Sequence, residues 1–172
     1  MNKQRTLVFF GAHPDDESLW GGCHLINESG WKVISITGAT NPTRVREFQR
    51  AMAFVGASYE IWGHADRYWN GNYSSILKEK LALLVKEHPD KVFYTHGPLG
   101  EYGHRQHKMV SQLLTELAPK KLFYFYPFAC GDEKVKVCEM KKELSSLYQS
   151  QKMAIKMTIP YTIYEKTVDS RM

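Results

Sequence analysis

The sequence predicts an α/β fold in which helices cover both faces of a doubly wound, mostly parallel sheet. Short β-rich segments alternate with segments that repeat apolar residues at helical spacing, an order typical of parallel sheets. No internal repeat or low-complexity linker divides the 172 residues. We therefore expect a single domain over residues 1–172, with the strand order 3-2-1-4-5.

Six strands are predicted from runs of apolar and β-branched residues. They lie at 6–10, 32–37, 59–62, 92–95 and 122–126, with a shorter one at 134–137. The first is a continuous apolar run, typical of a strand that is covered on both faces.

The predicted helices lie between these strands. They span 16–28, 43–55, 75–87 and 104–117, followed by a helix at 141–153 and an extended segment at 155–164. Gly30 and Gly56 follow the first two helices, whereas Ser75 can cap the third and Pro89 stops it.

The composition argues against several classes of function. The net charge is +5, but the densest basic run, Lys134–Lys142, contains Glu139 and alternates with apolar residues. We expect no nucleic-acid partner, although a mild positive field can draw an anionic sugar or phosphate toward a cleft. Cys23, Cys130 and Cys138 form no CxxC pair, which favours a reducing compartment. Without a signal-peptide core or a membrane span, a cytoplasmic protein is expected, and a homo-oligomer is compatible with the sequence.

Two histidine-bearing segments each follow a predicted strand. The first segment, residues 11–17, is Gly-Ala-His-Pro-Asp-Asp-Glu, and the second segment, residues 100–107, is Gly-Glu-Tyr-Gly-His-Arg-Gln-His. Doubly wound sheets bind ligands outside the carboxyl ends of the strands, where the strand order reverses. If strands one and four are neighbours there, His13 and His104 face one crevice.

These residue types are those of a metal-assisted hydrolase. A catalytic zinc ion takes three protein ligands and keeps one position for water. His104 and His107 are three residues apart, so a helix places both on one face. The most economical set is His13, Asp16 and His107.

Asp15 is then placed to act as general base toward the attacking water. His104, aided by the Tyr102 hydroxyl, is left to stabilise the oxyanion or to protonate the leaving amine.

Other interpretations of these residues stay open. Alone, the first segment also fits a helix N-terminus with acids in its first turn, and the second fits two surface histidines. A non-haem iron(II) enzyme uses the same two-histidine, one-carboxylate set, and a non-catalytic sugar-binding protein is a further alternative. The second acid beside the ligand favours hydrolysis. His64 and His96 lie near the same sheet edge and are secondary candidates.

The AHPDDE sequence, with GEYGHxxH about ninety residues later, resembles the LmbE/PIG-L family of metal-dependent N-deacetylases. The Arg- and Glu-bearing helix that begins near Arg44 and ends at Gly56 is similar to that family as well. So is the pattern that leads from Lys141 to Ser150-Gln151. The similarity extends over roughly residues 5 to 151.

The resemblance implies a Rossmann-like fold and a zinc-dependent enzyme that removes the N-acetyl group from an amino sugar or glycoconjugate; Fe²⁺ or another divalent cation is compatible with the site. It implies metal ligands at His13, Asp16 and His107, Asp15 as base, and Tyr102 and His104 near the oxyanion. It also implies that Arg44 and Asp66 touch the sugar, for which a surface ion pair or a turn residue is the alternative.

Three departures from the family pattern stand out. The usual HPDH form of the second segment is His104-Arg105-Gln106-His107 here, so that Gln106 can hydrogen-bond to the neighbouring histidine but brings no charge. The loop at 38–42 is short and lacks an acid, and the chain is shorter than most relatives.

Trp69 and Tyr73 can stack on a sugar ring, or lie beneath an ordinary Asn-Gly-Asn turn.

Overall fold

The computed structural model describes residues 7–67, 71–117, 119–127, 136–137, 139–162 and 164–171. For residues 71–73, 127, 136–137, 159–162 and 164 only the backbone is described. The strands are β1 (Leu7–Gly11), β2 (Trp31–Thr37), β3 (Ser58–His64), β4 (Val92–His96), β5 (Leu122–Pro127), β6 (Lys136–Val137) and β7 (Tyr164–Asp169). The helices are α1 (Asp16–Asn27), α2 (Pro42–Val55), α3 (Gly71–Glu87), α4 (Gly100–Gly103), α5 (Arg105–Leu117), α6 (Lys141–Ser146) and α7 (Lys152–Thr162), with a 3-10 turn at Gln149–Gln151.

One seven-stranded sheet runs through the described residues in the order β3-β2-β1-β4-β5-β7-β6. The β1 strand is parallel to both β2 and β4, and β3 and β5 extend the parallel region on either side. The β7 strand is antiparallel to β5 and to β6. The predicted order 3-2-1-4-5 and the mostly parallel α/β class are therefore confirmed.

Each face of the sheet is covered by its own apolar cluster. Successive side chains of a strand point to opposite faces, so Phe10 joins one cluster and Phe9 joins the other. The Phe10 cluster includes Leu81 of α3 and Leu114 of α5, whereas the Phe9 cluster includes Phe48 of α2. Helices thus lie on both faces, and the carboxyl edge of the parallel strands is left for a site.

The C-terminal third corrects the sequence prediction. A helix over 141–153 and an extended segment over 155–164 were expected, but a 3-10 turn follows α6 and the chain is helical again to Thr162. The β-branched residues after 154 favour extended structure. Ile155, which is 7% exposed, packs into the Phe9 cluster, and this burial stabilises α7 instead. The helix predicted from His104 begins at Arg105, after the separate turn α4.

Candidate metal centre

The two histidine-bearing segments meet at the carboxyl ends of β1 and β4. The first segment leaves β1 and enters α1, while the second forms α4 and the first turn of α5. Pro14 packs against Gly38 so closely that a Cβ on Gly38 would lie 2.5 Å from the proline ring. The short loop after β2 therefore packs directly against the first segment, and a side chain at position 38 would clash with Pro14.

The three predicted metal ligands converge. His13 Nδ1 lies 3.5 Å from Asp16 Oδ2, and His107 Nε2 lies 3.3 Å from Asp16 Oδ1. The two facing imidazole nitrogens, His13 Nδ1 and His107 Nε2, are 3.4 Å apart. All three side chains are buried. Residues 94 positions apart in the sequence thus face one point in space.

Hydrogen bonds on the far side of each ring favour, in the neutral form that binds a metal, the tautomer whose facing nitrogen carries no proton. His107 Nδ1 donates to Glu101 Oε2 at 2.6 Å, and His13 Nε2 donates to Gln106 Oε1 at 2.5 Å. Because both acceptors are oxygens, the proton of each neutral ring lies on that side. In that form His13 Nδ1 and His107 Nε2 present lone pairs that a metal ion could accept. Without a metal, burial disfavours the charged form of His13, but the neighbouring carboxylates of Asp16 and Asp66 raise the pKa of His13 to about 10.

This donor set fits a divalent metal ion. Two neutral imidazoles and a carboxylate are ligands that zinc and iron(II) both accept. Ligand atoms placed about 2.0–2.1 Å from a tetrahedral zinc ion are about 3.3–3.4 Å apart. The 3.4 Å separation of His13 Nδ1 and His107 Nε2 agrees with that spacing. Asp16 offers a different carboxylate oxygen to each histidine, Oδ2 at 3.5 Å from His13 and Oδ1 at 3.3 Å from His107.

Two further histidines border the centre, so that the described residues offer alternative donor groups. His13, His104 and His107 form one close group, and Asp16, His96 and His107 form another. His96 Nε2 accepts from the Ala12 N–H at 3.1 Å, and its Nδ1 faces Glu101 at 3.1 Å. Both nitrogens of His96 are engaged, and its ring stacks on that of His107 at 3.8 Å. We therefore interpret His96 as a support for the ligands.

Glu101 is a site residue that the sequence analysis missed. Its Oε2 faces both His107 and His96, and its Oε1 accepts from the Gly97 N–H at 2.9 Å. Burial disfavours its charge, but the neighbouring histidines lower the pKa of Glu101 to about 2. The only available signal was its place in a Gly-Glu-Tyr-Gly sequence, where Gly100 and Gly103 both adopt positive φ and reverse the chain.

The adjacent carboxylates Asp15 and Asp16 have opposite environments. Burial and the charge of Asp16 raise the pKa of Asp15 well above its usual range, although Arg44 opposes the shift. Burial acts the same way on Asp16, but the charges of His107 and His96 outweigh it and hold the pKa of Asp16 well below its usual range. Such divergence separates a carboxylate that stays ionised as a ligand from one that can exchange a proton.

Asp15 is held by two residues that do not belong to the predicted ligand set, Arg44 and Glu17. Arg44 Nη2 donates to Asp15 Oδ1 at 2.9 Å and to the Pro14 carbonyl at 2.7 Å. The Asp15 N–H donates to Glu17 Oε2 at 3.1 Å. Arg44 thus binds the predicted base as well as lying at the site, where its Nη1 is 3.8 Å from Asp66. Asp66 Oδ1 is in turn 3.3 Å from His13 Nε2.

Gln106 acts on a different histidine from the one expected. The sequence predicts a hydrogen bond to the neighbouring His104, but Gln106 Oε1 binds His13 and Gln106 Nε2 donates to the Arg67 carbonyl at 3.2 Å. His104 Nδ1 is buried without a hydrogen-bond partner among the described residues. Gln106 reaches His13 because it lies on the side of α5 that faces the first segment.

Of the remaining predicted residues, the structure describes the side chain of Tyr102 but not those of Trp69 and Tyr73. Tyr102 is 64% exposed, with its ring 5.7 Å from that of His104 and 5.6 Å from that of His107. Trp69 lies outside the described residues, and Tyr73 belongs to α3 with only its backbone described. Stacking of Trp69 and Tyr73 on a sugar stays a prediction.

A family model described as PIG-L, GlcNAc-PI de-N-acetylase, matches residues 8–118, which include both segments. The chain belongs to this family. An uncharacterized protein of Acanthamoeba polyphaga mimivirus is 36% identical over 174 residues, covering 91% of this chain and 76% of the relative. Membership indicates a deacetylase of the PIG-L type, and deacetylases of this family are metal-dependent.

Solved structures share the fold at low sequence identity. A deacetylase of the teicoplanin biosynthetic pathway has a TM-score of 0.74 at 13% identity, over 96% of this chain and 98% of that one. The N,N'-diacetylchitobiose deacetylase of Pyrococcus horikoshii has a TM-score of 0.67 at 14% identity, over 96% and 84%. The 4-carboxy-2-hydroxymuconate hydratase of Pseudomonas putida reaches 0.65 at 14%, over 96% of both chains. The fold therefore accommodates more than one reaction.

None of the helices in the described part of the chain combines the length and the hydrophobicity needed to span a bilayer.

Proposed function

We propose that this protein is a zinc-dependent hydrolase that removes the N-acetyl group from an amino sugar or sugar conjugate. The observation that carries the proposal is the convergence of His13, Asp16 and His107 beside a second buried carboxylate, Asp15. Family membership supports deacetylation. The fold alone does not, because a hydratase shares it.

His13, Asp16 and His107 would hold the metal ion, which supplies a Lewis acid that polarises a carbonyl oxygen and lowers the pKa of water. In the overall reaction water adds to the acetamide carbonyl, the C–N bond breaks, and acetate and a free amine leave. The protein must accept a proton from the water and return one to the amine.

Asp15 is the base in this proposal. It is buried, its pKa is raised, and it lies next to a ligand without pairing with any of the three predicted ligands by a hydrogen bond in the described structure. The Arg44 guanidinium and the Glu17 carboxylate fix its position from two sides. A carboxyl group with a raised pKa is a better proton acceptor at neutral pH than an ordinary aspartate.

His104 and Tyr102 are the groups for the carbonyl oxygen and the leaving amine. The unpartnered Nδ1 of His104 can accept or donate a hydrogen bond once the substrate is present. Tyr102 is exposed beside it, so its hydroxyl can reach a bound molecule. Asp66 lies 3.3 Å from His13 and 3.8 Å from Arg44, and both Asp66 and Arg44 are proposed to contact the sugar.

The direct test combines metal analysis with an acetate-release screen. Purified protein should contain about one zinc equivalent and release acetate from at least one N-acetylglucosamine derivative. Chelation should abolish the release, and added zinc should restore it. Iron content with oxygen consumption in the presence of an oxo-acid would instead support the iron(II) alternative. Full metal content with sugar binding and no acetate would support a non-catalytic protein.

A further inference from the structure

A buried amide holds the far-side nitrogen of His13, and this amide belongs neither to the proposed ligand set nor to the proposed reaction. Gln106 Oε1 lies 2.5 Å from His13 Nε2, and Gln106 is 8% exposed. Gln106 directly precedes His107, so the second segment contributes one proposed ligand and also holds the ligand that the first segment contributes. A group in this place controls how His13 presents its other nitrogen to a metal ion.

A second hydrogen bond fixes the orientation of the Gln106 amide. Gln106 Nε2 donates to the Arg67 carbonyl at 3.2 Å. A carbonyl oxygen can only accept, so the amide NH₂ must face Arg67 and Oε1 must face His13. Because Oε1 also can only accept, it favours the neutral form of His13 that carries its proton on Nε2 and leaves Nδ1 for a metal ion.

Asp66 offers the same histidine nitrogen a second, longer contact. Asp66 Oδ1 is 3.3 Å from His13 Nε2, and the Asp66 side chain is 51% exposed. An exposed charge pair is screened by water and contributes little, whereas a buried hydrogen bond acts in a low local dielectric. The orientation of His13 should therefore depend on Gln106 more than on Asp66.

We propose that Gln106 is a positioning residue for metal binding: its amide, held by the Arg67 carbonyl, fixes the ring and the tautomer of His13, so that Asp66 is not required to hold the metal site. The inference rests on the proposed function, because it takes His13 as a metal ligand. It assigns different roles to the two acceptors that face His13 Nε2.

The first test compares two substitutions that keep the length of the side chain. Gln106→Met fills a similar volume without a strong acceptor, whereas Gln106→Glu keeps an acceptor for His13 and loses the donor to Arg67. Competition with a chromogenic chelator measures the zinc affinity. It should fall by about 10- to 100-fold in Gln106→Met, the usual effect of removing a group that holds a ligating histidine. Gln106→Glu should bind zinc more tightly than Gln106→Met.

A role in packing alone predicts the opposite order. If Gln106 only filled space, an apolar methionine would be tolerated and a buried glutamate charge would be harmful. Native zinc affinity in Gln106→Met, or weaker binding by Gln106→Glu than by Gln106→Met, would therefore overturn the inference.

The matched control is Gln112→Met, the same change at an exposed position of α5, which should bind zinc as the native protein does. Circular dichroism shows whether each variant is folded. If Gln106→Met does not fold, Gln106→Asn takes its place, because it keeps the amide and draws the acceptor back by one CH₂ group. Native zinc affinity in folded Gln106→Asn would also overturn the inference.

The second test separates the roles of Gln106 and Asp66. Asp66→Ala should weaken zinc binding by about fivefold or less, since an exposed charge pair contributes no more than that. In the Gln106→Met background, Asp66 is the acceptor that remains near His13 Nε2 in the described structure. The double variant should therefore bind at least about twofold more weakly than the product of the two single losses. A loss in Asp66→Ala as large as that in Gln106→Met, or losses that simply multiply, would contradict the division of roles.

Zinc affinity is measured without substrate, so the inference and the proposed function can fail separately. Acetate release by the native protein, with native zinc affinity in Gln106→Met, would contradict the positioning role alone. Zinc affinity that falls in Gln106→Met and recovers in Gln106→Glu, with no acetate release from any N-acetylated sugar, would contradict hydrolysis and retain the positioning role. A native protein that binds no divalent metal would overturn both.

Discussion

The two segments that form the centre are anchored in different ways. Each contains a non-glycine residue with positive φ, Asp15 at 123° and Glu101 at 54°, and these are the two such residues in the described chain. In the first segment the strained residue is the proposed base itself, and its support comes from Glu17 and Arg44. In the second segment the strained residue is Glu101, whose carboxylate binds His107, a proposed metal ligand. In the proposed mechanism, the two positive-φ residues are thus the base and the residue that positions His107.

The residues that anchor the two segments, Glu17 in the first and Glu101 in the second, also differ in their own contacts. Glu101 stands one hydrogen bond from His107, a proposed metal ligand, so a change at Glu101 should act directly on metal binding. Glu17 is bound by the Tyr148 hydroxyl at 2.6 Å, and Tyr148 is fully buried between the helices of the Phe9 cluster. We therefore expect a change at Glu101 to appear in metal affinity, and a change at Glu17 or Tyr148 to appear in the free energy of unfolding.

Loss of a ligand should have the largest effect. His13→Ala should remove both bound zinc and acetate release, because two remaining protein ligands do not make a stable site. Elemental analysis after dialysis and an acetate assay measure the two. Retention of a full zinc equivalent would show that His96 or His104 belongs to the ligand set in place of His13.

Asp15→Asn should lower kcat by about 10²- to 10⁴-fold while zinc stays bound, since a general base contributes on that order. The same two assays apply. Equal loss of metal in Asp15→Asn and His13→Ala would contradict the division between base and ligand. Asn41→Asp, which keeps a capping oxygen for the exposed N-terminus of α2, is the matched control and should leave both readouts unchanged.

Glu101→Gln should weaken zinc binding by about 10- to 100-fold, the usual effect of removing a carboxylate that holds a ligating histidine. The variant also turns an amide NH₂ toward either His107 or the Gly97 N–H, each of which needs an acceptor. Competition with a chromogenic chelator measures the affinity. Glu116→Gln, on the exposed side of α5, is the control and should bind zinc as the native protein does. An unchanged affinity in Glu101→Gln would refute the positioning role.

The sequence predicts features that depend on consecutive residues, and it does not predict features that depend on the folded backbone or on long-range contacts. Strand order followed from apolar runs and from the rule for parallel sheets, and the chemistry of the first segment lies in consecutive residues. Glu101 was missed because its role depends on a backbone reversal between Gly100 and Gly103. The predicted partner of Gln106 and the predicted extended structure around Ile155 were also wrong, because long-range packing determines both.

The smallest change in activity is expected for Tyr148, whose hydroxyl binds Glu17 and so supports the first segment. Tyr148→Phe removes the hydroxyl that donates to the buried Glu17 and leaves one acceptor of that carboxylate less satisfied. The free energy of unfolding should fall by about 1–3 kcal/mol. Zinc content should be unchanged and acetate release should change little, since Glu17 still accepts from the Asp15 N–H. Urea unfolding of the zinc-loaded protein measures the stability, with the exposed Tyr59→Phe as a control expected within about 0.5 kcal/mol of the native protein. If Tyr148→Phe instead lost zinc as Glu101→Gln is expected to, the two anchors would be equivalent and the distinction drawn between them would be wrong.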